Sequence, residues 1–272
     1  MSDAVRELLP GLRVVLAPNP GFMTGPGTNQ YLLGDTAAVL IDAAAMSAEN
    51  ARRLDGTGAR LVQLLLTHVH PDHVGGVAAL RERGELSVAV HESRRDFVYG
   101  GDPLAPDVLL EDGLEIAHAT GRLRVVHTPG HESGHCCLYD PDRRWLFTGD
   151  TILGTGTVVI PPPDGNMTAY FASLRRLDSL DLECIFPGHG PAIPRPHEKI
   201  AEYLAHRLLR ERQIVDALAR GLDVIPPIVA RLYADVPAIL HGAAAATVRA
   251  HLVKLVAEGV VVEEPRDRFR LR

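Results

Sequence analysis

The chain has 272 residues, is 46% hydrophobic, and carries a net charge of -6 with a pI near 6.1. That composition supplies one large core and a small one, and its acidity argues against nonspecific nucleic-acid binding by the molecule as a whole. The charge is uneven: residues 201–272 hold 11 Lys and Arg against 9 Asp and Glu, a balance of +2, which leaves 17 against 25, or -8, for the first 200.

In chain order, the opening MSDAVRELLPGLRVV has no basic leader followed by an apolar stretch, and no later run approaches 18 uninterrupted apolar residues. Neither an export signal nor a membrane span is expected. Up to about residue 195, the runs YLLG, AAVLID, RLVQLLLT, LSVAVH, RLRVVHT, WLFTGD and CIFPGHG alternate with turn residues and a few helical stretches. This pattern predicts an α/β sandwich. Asn29, in PGTNQYLL, is read either as a substrate contact or as a turn-stabilising amide.

The run RLVQLLL leads directly into THVHPDHVGG, residues 67–76, which sets His68, His70, Asp72 and His73 at i, i+2, i+4 and i+5. A polar surface loop tolerates such a cluster but does not require it. Imidazole and carboxylate are the usual donors to zinc and similar metals, so a metal loop is predicted. Three further runs also end in potential ligands: RLRVVHTPG in His131, WLFTG in Asp150 and CIFPG in His189. Loops at strand ends can gather side chains distant in sequence, so the four segments are expected to share one edge. His135 is read as either a supporting or proton-donating group or a structural histidine, and His91, His118 and His127 fit no motif. Cys136 and Cys137 open the apolar strand CCLYD and are expected to pack. With Cys184 they make an odd set without CxxC spacing, which fits a reducing, cytoplasmic setting.

From His197, HEKIAEYLAHRLLRERQIVDALARG has apolar positions at helical spacing and closes with Gly221. IPPIVARLYADV reads as a short helix begun by prolines. GAAAATVRAHLVKLVAEG reads as a second, with Val248, Leu252, Leu255 and Val256 on one face and Thr247, Ala250 and Lys254 away from it. The closing VVVEEPRDRFRLR reads as a hairpin in which Arg268, Arg270 and Arg272 alternate with Phe269 and Leu271. Helix, helix, hairpin is a winged-helix pattern, giving a large domain over residues 1–195, a linker helix over 196–221 and a winged helix over 222–272. Arg249 and Lys254 make a thin reading head for a DNA groove, whereas the arginine row suits phosphates.

Taken together, THVHPDH, TPGHESGH, FTGD and FPGHG resemble the ligand motifs of the metallo-β-lactamase superfamily, in the correct order. The resemblance implies an αββα sandwich and a two-metal site. It assigns His68, His70 and His131 to the first metal and Asp72, His73 and His189 to the second, with Asp150 bridging. Asp72 and Asp150 would carry the catalytic duties. Two divalent ions, zinc by expectation, would acidify a shared water to hydroxide and stabilise the attacked group. An aspartate at position 150 resembles the glyoxalase and nuclease branches more than the antibiotic-degrading ones.

GPGTNQYLLG, TGDTILGTGTVVI, AYFASLRRL, FPGHGP and HRLLRERQI, with the winged helix, are further similar to the beta-lactamase-like protein 2 family. That likeness implies endoribonuclease action on single-stranded RNA. The proline-rich IPPPDGNM, residues 160–167, departs from its pattern beside the expected site. The alternative is a glyoxalase-II-like hydrolase of a thioester or small ester, with the tail as lid or homodimer surface. A nucleic-acid-binding regulator with a structural metal is a third reading, from a non-enzymatic class.

Overall fold

The computed structural model describes residues 4–272, so the first three residues of the segment read for a leader lie outside it. Packing divides the chain into two compact units. The first holds the chain up to Thr128 with Gly134–Gly156 and Asp181–Pro196; the second holds Pro129–Ser133, Thr157–Leu180 and His197–Arg272.

In the first unit, β1 (Val5–Leu9), β2 (Leu12–Leu16), β3 (Asn29–Leu33) and β4 (Ala37–Ile41) form an antiparallel meander. The chain then crosses through α1 (Ala48–Asp55) to β5 (Arg60–Leu65), and through α2 (Pro71–Val74) and α3 (Val77–Arg81) to β6 (Ser87–His91). The two-residue strands β7 (Val98–Tyr99) and β8 (Asp102–Pro103) make a small hairpin, and β9 (Val108–Leu110) completes a seven-stranded sheet of order β1-β2-β3-β4-β5-β6-β9. The steps from β4 to β5, β6 and β9 are parallel, the first two made through helices and the last through the β7–β8 hairpin. A second, five-stranded sheet runs in sequence order through β10 (Glu115–His118), β11 (Gly121–His127), β12 (Cys136–Asp140), β13 (Trp145–Gly149) and β14 (Cys184–Pro187).

Alternation explains how the sheets meet. Val14, Tyr31, Val39, Ile41 and Leu65 from the first sheet share one buried cluster with Leu123, Val125, Leu138, Phe147 and Phe186 from the second. Tyr31, Phe147 and Phe186 interlock there with ring centroids 5.2–5.8 Å apart. The intervening residues Leu32, Leu40, Leu64, Val88 and Val90 face the other way, where Leu54 of α1, Val74 of α2 and Val77 and Leu80 of α3 cover them. Cys136 and Cys137 are fully buried and form no disulfide, which agrees with the packing expectation.

The second unit contains α4 (Met167–Asp178), α5 (Pro196–Ala219), α6 (Ile225–Leu232), α7 (His241–Ala257) and the hairpin of β15 (Val261–Glu264) with β16 (Arg268–Leu271). Its core joins Ile214 and Leu218 of α5, Ile228 of α6, Val248, Leu252 and Leu255 of α7, and Phe269 of the wing. The expected apolar face of α7 is therefore in place. Thr247 and Ala250, expected to point away from it, are also buried, because α7 packs against α4 as well. Ala238–Ala257 is long and apolar enough to cross a membrane by length and composition; within it Val248, Leu252 and Leu255 are buried in this core, while Ile239 and Val253 are exposed.

Candidate metal centre

Parallel pairing brings the ligand segments of the first unit together. β4 and β5 run side by side with Ile41 opposite Leu65, so Asp42 and Thr67 emerge at the same edge. β13 and β14 run side by side with Gly149 opposite Pro187, so Asp150 and His189 emerge together. Asn29 Nδ2 donates to the carbonyls of Pro187 and Gly190 at 2.9 and 2.8 Å, and the Tyr31 hydroxyl donates to Pro187 at 2.8 Å. These bonds tether the His189 loop to the seven-stranded sheet, so the amide role of Asn29 is a structural one. Gly149 is required at its position: φ is +44°, and a Cβ there would lie 2.4 Å from Thr67 Oγ1 and 2.8 Å from His135 Nε2.

Four donor atoms converge. His73 Nε2 lies 3.4 Å from His189 Nε2, 3.5 Å from Asp72 Oδ2 and 3.4 Å from Asp150 Oδ1; His189 Nε2 lies 3.1 Å from Asp72 Oδ2 and 3.4 Å from Asp150 Oδ1. Ligands about 2.0–2.1 Å from a tetrahedral metal sit roughly 3.3 Å from one another. Asp150 also groups with His68 and His73, with one donor atom of each lying within 4.8 Å of the others. The His70 ring meets that of His68 edge-on at 4.7 Å.

The ring tautomers follow from the outer partners. His73 Nδ1 lies 2.8 Å from Asp42 Oδ2, and His189 Nδ1 lies 3.2 Å from the Gly27 carbonyl. Both acceptors require a protonated Nδ1, so each Nε2 is the atom left to take either a second proton, shared with Asp72 and Asp150, or a metal. Two imidazole nitrogens and two carboxylates crowded at a buried edge call for positive charge among them, and this donor set fits a divalent metal. Asp42 reaches a second histidine indirectly. The Thr67 hydroxyl lies 2.9 Å from Asp42 Oδ2 and 3.0 Å from His68 Nδ1, so it donates to the carboxylate and accepts from His68.

Asp42 was not singled out as a site residue in the sequence. Its run AAVLID read only as a strand, although an acid closing an apolar run was the available signal. It is 1% exposed and holds φ at +62°, an uncommon conformation that Asp tolerates better than most residues.

His135 is fully buried. Its Nε2 accepts the Asp150 amide at 3.2 Å, while its Nδ1 faces the hydroxyls of Thr128 and Thr151 at 3.0 and 3.2 Å. It is a positioning group for Asp150 rather than a proton donor. Burial raises the Asp72 carboxyl, but His189 and His73 outweigh that effect and hold it well below the ordinary carboxylate range. Burial disfavours the charged forms of both histidines. Asp42 and Asp150 reverse this for His73, and Asp72 and Asp150 for His189, so both stand above the usual imidazole value.

His131 belongs to the Pro129–Ser133 segment of the second unit. It is buried, and its Nδ1 donates to the Val159 carbonyl at 2.7 Å, which leaves the lone pair on Nε2. In the wing, Arg268 pairs with Asp223, Arg270 Nε lies 2.5 Å from Glu264, and Arg249 lies 2.9 and 3.0 Å from Glu263 and Asp267. The alternation of Arg268 and Arg270 with Phe269 is as expected. The open row of guanidiniums is not, because acids on neighbouring segments engage Arg268 and Arg270.

Residues 23–189 match the metallo-beta-lactamase superfamily, and residues 225–268 match the beta-lactamase associated winged helix domain. The beta-lactamase-like protein 2 homolog of Caenorhabditis elegans is 31% identical, over 98% of this chain and 92% of its own. The atrochrysone carboxyl ACP thioesterase of Aspergillus fumigatus is 33% identical over 79% and 63%. Among solved structures, a metallo-beta-lactamase family protein of Thermus thermophilus superposes with a TM-score of 0.83 at 25% identity, covering 98% of this chain and 100% of that one. TTHA1623, solved in a di-iron-bound form, gives 0.55 at 32% identity, over 68% and 96%.

Proposed function

Because this chain belongs to the metallo-β-lactamase superfamily, we propose that it is a dinuclear metal-dependent hydrolase that cleaves phosphodiesters of single-stranded RNA. The observation that carries the hydrolase reading is that the Nε2 atoms of His73 and His189 lie 3.4 Å apart, each 3.1–3.5 Å from an oxygen of Asp72 and of Asp150. His68, His70 and His131 would hold one ion and Asp72, His73 and His189 the other, with Asp150 shared. Bound divalent ions supply a water of lowered pKa and positive charge for the attacked group. One Asp72 oxygen lies among the donors, so the second would orient the attacking water. His135 fixes the Asp150 backbone, and Asp42 fixes His73 directly and His68 through Thr67.

RNA is favoured over a small ester because likeness to a beta-lactamase-like protein 2 homolog extends through the winged helix, over 98% of this chain. A second reading, thioester hydrolysis, is favoured by two observations: likeness to the fungal thioesterase, and carboxylates that neutralise Arg268 and Arg270 of the wing. Zinc is the metal of choice for this donor set, and the di-iron neighbour makes iron the necessary comparison.

Protein loaded separately with zinc and with iron, offered single-stranded RNA, a phosphodiester reporter and S-lactoylglutathione in parallel, decides between the readings. RNA and reporter cleavage abolished by chelation is the expected result; turnover of the thioester alone transfers the assignment to the second reading. Asp72→Asn should lower turnover more steeply than metal occupancy, and activity that merely tracks occupancy reduces Asp72 to a ligand.

A further inference from the structure

The motif HRLLRERQI lies on α5 and contains Arg207, one of the largest fully buried side chains in the protein at 1% exposure. Its Nη2 donates to the Val158 carbonyl, its guanidinium lies over the Tyr170 ring at 5.2 Å, and its Nε has no hydrogen-bond partner. No carboxylate pairs with it among the described residues. A guanidinium buried with so little compensation is costly to desolvate, and a well-packed apolar side chain would suit stability better. Its position calls for a role other than stability.

Both of its contacts lead to His131. The carbonyl after Val158 is that of Val159, which accepts from His131 Nδ1 at 2.7 Å. Two successive carbonyls of one segment are thus held, one by Arg207 and the next by the histidine. Tyr170, beneath the guanidinium, also backs the turn before His131. A Cβ on Gly130 would lie 2.5 Å from Tyr170 Cα, the Asn166 amide donates to the Gly130 carbonyl at 2.7 Å, and Ser173 Oγ donates to the Pro129 carbonyl at 2.7 Å. Every one of these residues belongs to the second unit.

The geometry points to Arg207 as a positioning residue that fixes the orientation in which His131 presents Nε2 to a metal, by holding the Val158–Val159 carbonyls on one side and Tyr170 on the other. The inference rests on the reading of His131 as a metal ligand. Cobalt(II) titration of the full chain against a competing chelator, with the visible spectrum followed alongside melting temperature, tests the two separately. Arg207→Met should weaken one of two bound ions by about 10–100-fold, the range for lost support of a metal-bound histidine, and leave the other unchanged. Arg207→Lys, which restores a donor for Val158, should recover part of that loss. His131→Ala should lose the same ion. If His131→Ala keeps both ions at full affinity, the ligand reading fails and takes the inference with it. If His131→Ala loses one ion and Arg207→Met none, only the inference fails. Equal weakening of both ions in step with a lower melting temperature also overturns it. Should Arg207→Met be insoluble, wild-type protein labelled at arginine and histidine is titrated with zinc: the Arg207 guanidinium resonances should move with those of His131, and fixed Arg207 resonances overturn the inference.

Discussion

The strand-end site and the wing both bring charged side chains together, but they do so in opposite ways. In the wing, Arg249, Arg268 and Arg270 each meet a carboxylate of the opposite sign at an exposed surface. At the strand ends, Nε2 of two imidazoles faces two carboxylates while each Nδ1 is committed to Asp42 or Gly27, so only a further proton or a metal can stand between them. Exposed pairs of the first kind are worth about 0–1 kcal/mol and complete themselves. The second arrangement is costly until a cation enters, so it marks where chemistry is done. Charge density alone would have pointed to the arginine-rich tail; charge balance points to the sheet edge.

The largest expected effect breaks the site's side of this comparison. Asp150→Ala removes the carboxylate proposed as the bridge, and should abolish hydrolysis and lower metal content in a protein that still folds, since the two sheets pack through Tyr31, Phe147 and Phe186. Elemental analysis and circular dichroism check it, and full two-metal content in the variant refutes the bridge. Asp42→Asn is next. It keeps the size but removes the charge that fixes His73, with an expected loss of about 10–100-fold in metal affinity by chelator competition.

Smaller effects sharpen the tail's side. Replacing Arg268, Arg270 and Arg272 together by alanine should reduce the salt-dependence slope of RNA binding by well under the roughly 2 that three unpaired arginines would give, because Asp223 and Glu264 already engage two of them. A full reduction would mean that RNA displaces the carboxylates, and an unchanged slope would separate the wing from RNA altogether. The smallest effect concerns acid. Burial, then Arg207 and Arg210, push His206 down to about 4, and burial with Arg207 lowers His251 despite the Glu211 carboxylate. Below the ordinary imidazole value of about 6.5 the unfolded chain takes up protons that these folded histidines resist, so stability should fall as pH drops from about 6.5 toward 4. Thermal melts across that range check the direction, and His251→Leu should flatten the dependence.

The amino-acid sequence alone determined the candidate donors and the order of elements. His68, His70, Asp72 and His73 are bunched within one loop, and His131, Asp150 and His189 each follow an apolar run, so local pattern was sufficient to nominate them. The alternation of Phe269 with Arg268 and Arg270 likewise fixed which side chain of the wing is buried. What only the tertiary structure decided were the partners of those groups. Asp42 supports His73 because β4 and β5 pair in parallel at a particular register, His135 holds the Asp150 amide across 15 residues, and Arg207 reaches Val158 across 49. The wing's acids come from three separate segments, containing Asp223, Glu263 with Glu264, and Asp267. Periodicity reports which face of an element is buried, but hydrogen bonds and ion pairs depend on distances between elements, and those are set only when sheets and helices pack.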